Sequence, residues 1–348
     1  QHRIRYVQVA RVGSKQSDGI IVLEDSRSPR RLHINRVPFG LFDELASAGT
    51  VPNFAGAHRC SQKFKAWPLT AWMNEELQGQ DCFHAFGYNK DETSRIDKSE
   101  KAFAQLNSHL PTPTHRLVLG YNKDEEKRIA EAKNYDTNGR IGIYPLLEWG
   151  WSREDCENYI EKTIGVRIGK SACLWCPFAR TTEQAINRWI RHPRRTARGL
   201  LLERLSLSLN PKGTLFRDTT LHELLSIPEA ISVWKHYNHL LNTLTWNLYR
   251  VRRIYTAKGK ANRCAEILDS GSRQEMETAL SNYSHLPIFT QHSITHYIKH
   301  APIDTYPHIQ ELFTIAPALP TTKARHGIEW FNQRWDRFTG ETQPNLFS

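Results

Sequence analysis

Cys82-Phe83-His84-Ala85-Phe86-Gly87-Tyr88-Asn89-Lys90-Asp91-Glu92 ends on a pentad that returns unchanged after Arg116-Leu117-Val118-Leu119-Gly120, as Tyr121-Asn122-Lys123-Asp124-Glu125. In each copy a short apolar run closes at a glycine and opens into a polar, charged turn. Arg95 and Arg128 then follow at equal distance. A strand, a loop and a charged helix, used twice, is the pattern of α/β layers with a partly parallel sheet. Two copies are too few for a stacked solenoid, which needs at least about three repeats. The sequence therefore predicts an α/β fold over residues 1–180, with its ligand edge at the carboxyl ends of these strands.

Working outward, Ile4-Arg5-Tyr6-Val7-Gln8-Val9 and Ile20-Ile21-Val22-Leu23 have strand composition, separated by the turn residues Asp18-Gly19. A chain that opens on Gln1 and runs at once into a strand is expected to lack an N-terminal piece. Downstream, Ser152 is expected to cap a helix whose apolar positions Cys156, Tyr159, Ile160 and Ile164 share one face, and Gly165 to end it. Thr181-x-x-Gln184 reads as a capping box, and Pro193 as the stop of the helix that follows. Beyond a boundary near residue 180 the sequence predicts a mainly helical region, 181–348, with helices over 219–226, 229–250, 261–268 and 273–282. Residues 341–348 are expected to fray.

Across 348 residues, 39% hydrophobic and 24% charged residues with 10 Trp indicate an ordinary folded core and exclude disordered and collagenous classes. No apolar run reaches the roughly 18–20 residues that cross a bilayer, so the expected location is cytoplasmic, with no membrane partner. The formal net charge of +11 favours an anionic partner, nucleotide or nucleic acid. Six cysteines are too few for a disulfide scaffold, and two form Cys173-x-x-Cys176, a metal or cluster spacing in a reducing compartment.

That pair supplies two thiolates from one turn, whereas a closed zinc or iron-sulfur site uses four ligands. Among the remaining cysteines, only Cys60 lies in loop-like basic surroundings, His58-Arg59-Cys60-Ser61-Gln62-Lys63-Phe64-Lys65. Cys156 and Cys264 fall on apolar faces, where a free cysteine behaves as a small hydrophobe. Arg59, Lys63 and Lys65 either hold a phosphate or sulfate beside the thiol or form a solvated basic turn. Arg95 and Arg128 either clamp an anion or pair with Glu92 and Glu125 at i, i+3. Two basic stretches carry aromatics: Arg188-Trp189-Ile190-Arg191-His192-Pro193-Arg194-Arg195 and Tyr249-Arg250-Val251-Arg252-Arg253-Ile254-Tyr255. Arg191, Arg194, Arg195, Arg250, Arg252 and Arg253 are thus nucleic-acid candidates, against the alternative of a solvated charged face over a core of aromatics. Gly259-Lys260 lacks the rest of a Walker A motif.

Four motifs in order, Arg59-Cys60-x-x-x-Phe64-Lys65-x-x-Pro68-Leu69, Gly87-Tyr88-x-x-Asp91-Glu92-x-x-Arg95, Tyr144-Pro145-Leu146-x-Glu148-Trp149-Gly150 and Ser171-Ala172-Cys173-x-x-Cys176-Pro177-Phe178, resemble the phosphoadenosine phosphosulfate reductase superfamily. The likeness is nearest to its phage-borne and DNA-phosphorothioation-type members and covers roughly residues 50–200. It implies a Rossmann-like, adenine-nucleotide alpha-hydrolase-like sheet binding ATP or an adenylyl-sulfate nucleotide. It further implies a cysteine-ligated iron-sulfur cluster, or alternatively zinc, on Cys60, Cys173 and Cys176. Lys65, Arg95 and Arg128 would face the nucleotide or its sulfate, with Arg59, Lys63, Glu92 and Glu125 nearby.

The family's Ser-Gly-Gly-x-Asp-Ser phosphate loop has no match here, and the family pattern places it ahead of the first strands seen in this chain. A missing N-terminal segment or a partner subunit would then supply it. The reductases' Glu-Cys-Gly nucleophile is also missing, since no cysteine follows Cys264. The implied activity is therefore nucleotide-dependent sulfur transfer or substrate adenylation, of sulfurtransferase or oxidoreductase-like class, with DNA or tRNA as conceivable acceptors. The alternative is a non-catalytic nucleic-acid-binding protein with a structural zinc.

Overall fold

The computed structural model describes residues 4–29, 33, 37–52, 59–77, 82–87, 115–120, 149, 151–167, 173–178, 183–216, 219–319 and 328–340. The chain forms two compact units. One combines Gln1–Pro68 with Ala172–Ser348, and the other is Leu69–Ser171, inserted between those two stretches. This division differs from a boundary near residue 180. The architecture is mixed α/β.

In the inserted unit, β3 (Cys82–Gly87) and β4 (His115–Gly120) pair parallel and in step, Gly87 opposite Gly120. Both strands thus end, at Gly87 and Gly120, on the same edge of the pair. The helix α4 (Arg153–Ile164) follows the expected chemistry at both ends. The Ser152 hydroxyl accepts from the amide of Asp155 at 3.2 Å, and the Asp155 carboxylate accepts from the amide of Ser152 at 2.7 Å. Gly165 closes it at φ 72°, a left-handed position that glycine fills without strain.

The larger unit opens with the antiparallel hairpin β1 (Tyr6–Arg11) and β2 (Ile20–Ser26), then α1 (Leu41–Ala48). A short helix α2 (Arg59–Ser61) passes through a π-turn (Gln62–Ala66) into α3 (Trp67–Leu77). After the insertion come α5 (Glu183–Arg191) and α6 (Pro193–Leu209). Pro193 does not stop a helix; it is the first residue of α6, where its missing N–H costs nothing and its fixed φ suits the first turn. The sequence Gly199-Leu-Leu-Leu-Glu-Arg-Leu-Ser-Leu-Ser-Leu makes α6 apolar around most of its circumference, so it becomes the central helix of the core. It buries one carboxylate. Glu203 is 1% exposed and accepts from the amides of Leu215, Leu221 and His222 at 3.0, 3.0 and 3.2 Å. These include donors at the start of α7 (Leu221–Leu224) that no helical carbonyl can reach. The helix α8 (Ile231–Thr243) packs beside α6.

The region expected to be mainly helical instead holds a five-stranded antiparallel sheet, in the order β6-β5-β9-β8-β7. Its strands are β5 (Trp246–Ala257), β6 (Lys260–Gly271), β7 (Ile288–Gln291), β8 (Ile294–His300) and β9 (His308–Pro317), with α9 (Arg273–Ser281) and α10 (Ile328–Thr339). The segments expected as helix over 246–250 and 261–268 are therefore strand. The cause is physical. Apolar residues spaced by two and by four occur together here, and a short run of this kind fits either period. The β-branched and aromatic residues Tyr249, Val251, Ile254 and Tyr255 prefer a pleated surface, and Gly259, at φ 71°, lets Lys258-Gly259 turn the β5–β6 hairpin. Strand β5 is an interior strand covered on both faces, so it shows no clean in-out alternation.

Candidate functional site

Cys60 lies on the short helix that enters the π-turn, a helical irregularity often found at functional sites. What fixes this turn is Arg11, 2% exposed at the end of β1. Its guanidinium lies 4.8 Å from the ring centres of Phe64 and Trp67 and 5.3 Å from that of Phe39. It donates to the Glu44 carboxylate at 2.8 Å and to the carbonyl of Ser14. Lys63 donates to the same Glu44 carboxylate, so this candidate anion ligand is engaged in an ion pair, while Lys65 is exposed. The side chain of Arg59 lies outside the described residues.

The Cys-x-x-Cys turn is clamped from two helices. Cys176 donates its amide to the carbonyl of Cys173 at 3.2 Å, closing the turn. The indole of Trp189, from α5, donates to the carbonyl of Leu174 at 2.7 Å, and the indole of Trp175 donates to the carbonyl of Arg195, on α6, at 3.1 Å. Trp175 also packs against Phe42 of α1 at 5.8 Å. Gly199 makes the room: a Cβ there would stand 2.5 Å from the Trp175 indole nitrogen. With its backbone and indole so held, the turn leaves the Cys173 side chain exposed and Cys176 half-buried.

Cys60 and this turn, far apart in sequence, lie within electrostatic reach of one another. Burial pushes the Cys60 thiol up, the Ser61 amide pulls it partly back, and the charges of Cys173 and Cys176 raise it further. A Cys60 thiol held up by burial and by two neighbouring thiols is one whose deprotonation a cation would favour. Among the described residues, no three His, Cys, Asp or Glu side chains stand close enough to hold a metal ion as they are. Cys156 lies on α4 in the inserted unit, raised by burial and then by Asp155. Cys264 is 1% exposed and packs in β6 with Ile254, Phe331 and Trp335, a structural role as its apolar surroundings predict, although on a strand.

The two basic stretches have opposite fates. Arg252 and Arg253 are buried, and Arg250 is half-buried. Arg253 donates to Gln310 at 2.7 Å and to the carbonyl of Leu209, the last residue of α6, and burial pulls it down to about 10. Arg252 donates to Asn332 at 2.8 Å and lies beside the rings of Phe331 and Trp335, and Arg250 pairs with the buried Glu311. A buried guanidinium at a helix C-terminus satisfies open carbonyls and complements the dipole. These three, predicted as nucleic-acid contacts, are internal fasteners because each has a protein partner. Arg191, Arg194 and Arg195 are exposed at the α5–α6 junction, where the Arg195 carbonyl holds Trp175.

Glu92, Arg95, Glu125 and Arg128 lie outside the described residues. Residues that sequence reading missed are the positioning groups Arg11, Glu44 and Gly199, and Arg198, stacked 3.8 Å over Phe42. Only the tryptophan inside the Cys-x-x-Cys turn hinted at such a clamp. No protein-family model, curated protein or solved structure matches this chain.

Proposed function

We propose that the protein is a phosphoadenosine phosphosulfate reductase-like enzyme that carries out nucleotide-dependent sulfur transfer or substrate adenylation, with a metal centre at Cys60, Cys173 and Cys176. The observation that carries this reading is that Cys60 lies within electrostatic reach of the Cys173–Cys176 turn although the insertion of Leu69–Ser171 separates them in sequence. Three thiols are soft donors suited to an iron-sulfur cluster or to zinc, and hard cations would choose oxygen instead. A bound cluster would supply redox or sulfur-relay chemistry. The chain's own part is to orient the donors: Arg11 and Glu44 fix the Cys60 turn, and Trp175 and Trp189 fix the other.

In this reading ATP or an adenylyl-sulfate nucleotide lies at the carboxyl ends of β3 and β4, where strand-end loops gather in α/β sheets. The Rossmann-like identity of that pair and a phosphate loop from a preceding segment or a partner subunit belong to the same proposal. So do a cytoplasmic, reducing location and an acceptor such as DNA or tRNA. Among the described residues no helix is long and apolar enough to cross a membrane.

The exposed arginines beside the turn favour a second reading, a zinc-bearing, non-catalytic nucleic-acid binder. Anaerobic purification separates the two. A brown protein with broad visible absorption and acid-labile sulfide supports the cluster, stoichiometric zinc in a colourless protein supports the second reading, and protein with neither overturns both. Cys60→Ser, Cys173→Ser and Cys176→Ser are each expected to abolish metal or cluster content, whereas Cys264→Ser keeps it. Equal loss in all four would show that the ligand set is wrong.

A further inference from the structure

We infer that the junction of α5 and α6 is a docking surface for a nucleic-acid strand, held by Arg191, Arg194 and Arg195 with Arg188 and Arg198 at its flanks. The inference deepens the proposed function in naming its acceptor class, but the arginine surface does not depend on what the cysteines hold. Arg188 is half-exposed and the other four are exposed. Among the described residues Arg188, Arg191, Arg194 and Arg195 have no carboxylate partner, and Arg198 contacts only the ring of Phe42. The only acidic residue on α5 is Glu183, at its far end, and the only one on α6 is the buried Glu203.

This arrangement opposes folding. Like charges three and four residues apart on a helix repel by a few tenths of a kcal/mol per pair, and Arg188/Arg191 on α5 and Arg194/Arg198 on α6 are such spacings. Arg188 and Arg191 sit in the last turn of α5, where cations suit the helix dipole, but Arg194 and Arg195 sit in the first turn of α6, where they do not. A polyanion is what removes the repulsion. All five cations are arginines, whose planar forks match phosphate oxygens. Trp175, half-exposed and bonded to the Arg195 carbonyl, adjoins them as an aromatic ring against which a base can stack. A membrane surface would instead meet outward apolar side chains, yet α5 turns Ala185 and Trp189 into the core. The exposed Cys173 lies in the same turn that Arg195 anchors through Trp175, so a docked strand would run beside the thiols.

The test is anisotropy of a labelled single-stranded DNA oligonucleotide against salt, using the full chain and the triple variant Arg191→Ala/Arg194→Ala/Arg195→Ala. At about 0.7 per phosphate contact, the triple variant should shallow the log–log salt slope by about two and weaken binding at least tenfold, with Tm unchanged or higher. The triple lysine variant should keep most of the slope. Absence of binding by the unmodified protein, equal binding by the alanine variant, or capture by phosphatidylserine vesicles in preference to DNA would overturn the inference. So would a lowered Tm in the alanine variant that lysine fails to restore. Cys173→Ser is run alongside: if no preparation holds metal yet the arginine effect stands, the cysteine reading fails and the docking surface survives.

Discussion

Arg252-Arg253 on β5 and Arg194-Arg195 on α6 are the same dipeptide in one compact unit, each in an aromatic-rich stretch, and they end in opposite environments. The first pair is buried, and its guanidiniums serve a helix-end carbonyl, two side-chain amide oxygens and two aromatic rings. The second pair is exposed and, among the described residues, meets no carboxylate. A basic stretch therefore carries no information about partners until the strand or helix under it is known. On an interior strand covered on both faces, arginine must find protein acceptors. At a helix–helix elbow only one side is covered, and the charge stays free for an external anion.

The hardest way to break this comparison is Arg253→Ala. It removes a buried cation, leaves the carbonyl of Leu209 without this donor and leaves the Gln310 amide oxygen with the Tyr255 hydroxyl instead of two donors, so unfolding in urea should show a loss of about 3–5 kcal/mol. A loss under about 1 kcal/mol would put the strand arginines in the same class as those of the elbow. An intermediate effect sharpens the comparison by asking what burial does to a charge held by backbone amides alone. Glu203 is raised from 4.5 to about 6, burial being the main cause and the amides of Leu221, Leu215 and His222 opposing it. Because the folded-state value is the higher one, the folded protein binds the extra proton. Stability from this group is full below about pH 4.5 and falls as pH rises through about 6, by about 2 kcal/mol in all. Urea midpoints of the unmodified protein and Glu203→Gln, followed from pH 4 to 7, should diverge by that amount; parallel curves would show that the carboxyl titrates normally. The smallest effect belongs to Arg194→Ala, expected within about 0.5 kcal/mol of the unmodified protein. A larger loss would reveal a structural partner for the elbow.

Sequence reading succeeded where the determinants are local. Ser152, Asp155 and Gly165 bound α4 because capping is a matter of three or four neighbouring residues. The hairpin strands β1 and β2, the strands β3 and β4, and the helix α9 were legible in the same way. The sequence misled where long-range packing decides. Strand β5 read as a helix because a strand covered on both faces loses its period-two signature, and its edge partner β6, buried only at Cys264, has no clean apolar alternation either. Pro193 read as a stop because its ring both ends and begins helices, and only the buried α6 behind it shows which. At the site, residue type and local setting singled out Cys60, Cys173 and Cys176. The clamp of Arg11, Glu44 and Gly199 was invisible, since nothing in the spacing of those residues relates them.

The insertion of Leu69–Ser171 between the two halves of the larger unit has a consequence for how the chain is made. Synthesis runs from the N-terminus at about 5–20 residues per second, so on the order of ten seconds separate the emergence of Cys60 from that of the Cys173–Cys176 turn. Through that interval α1, whose Leu45 and Ala46 belong to the shared core, has no α6 to cover it. The growing chain passes through a stage in which an early apolar helix and a solitary thiol wait on the ribosome for their partners. A slow translation step within 69–171 lengthens that exposure, and a fast one shortens it.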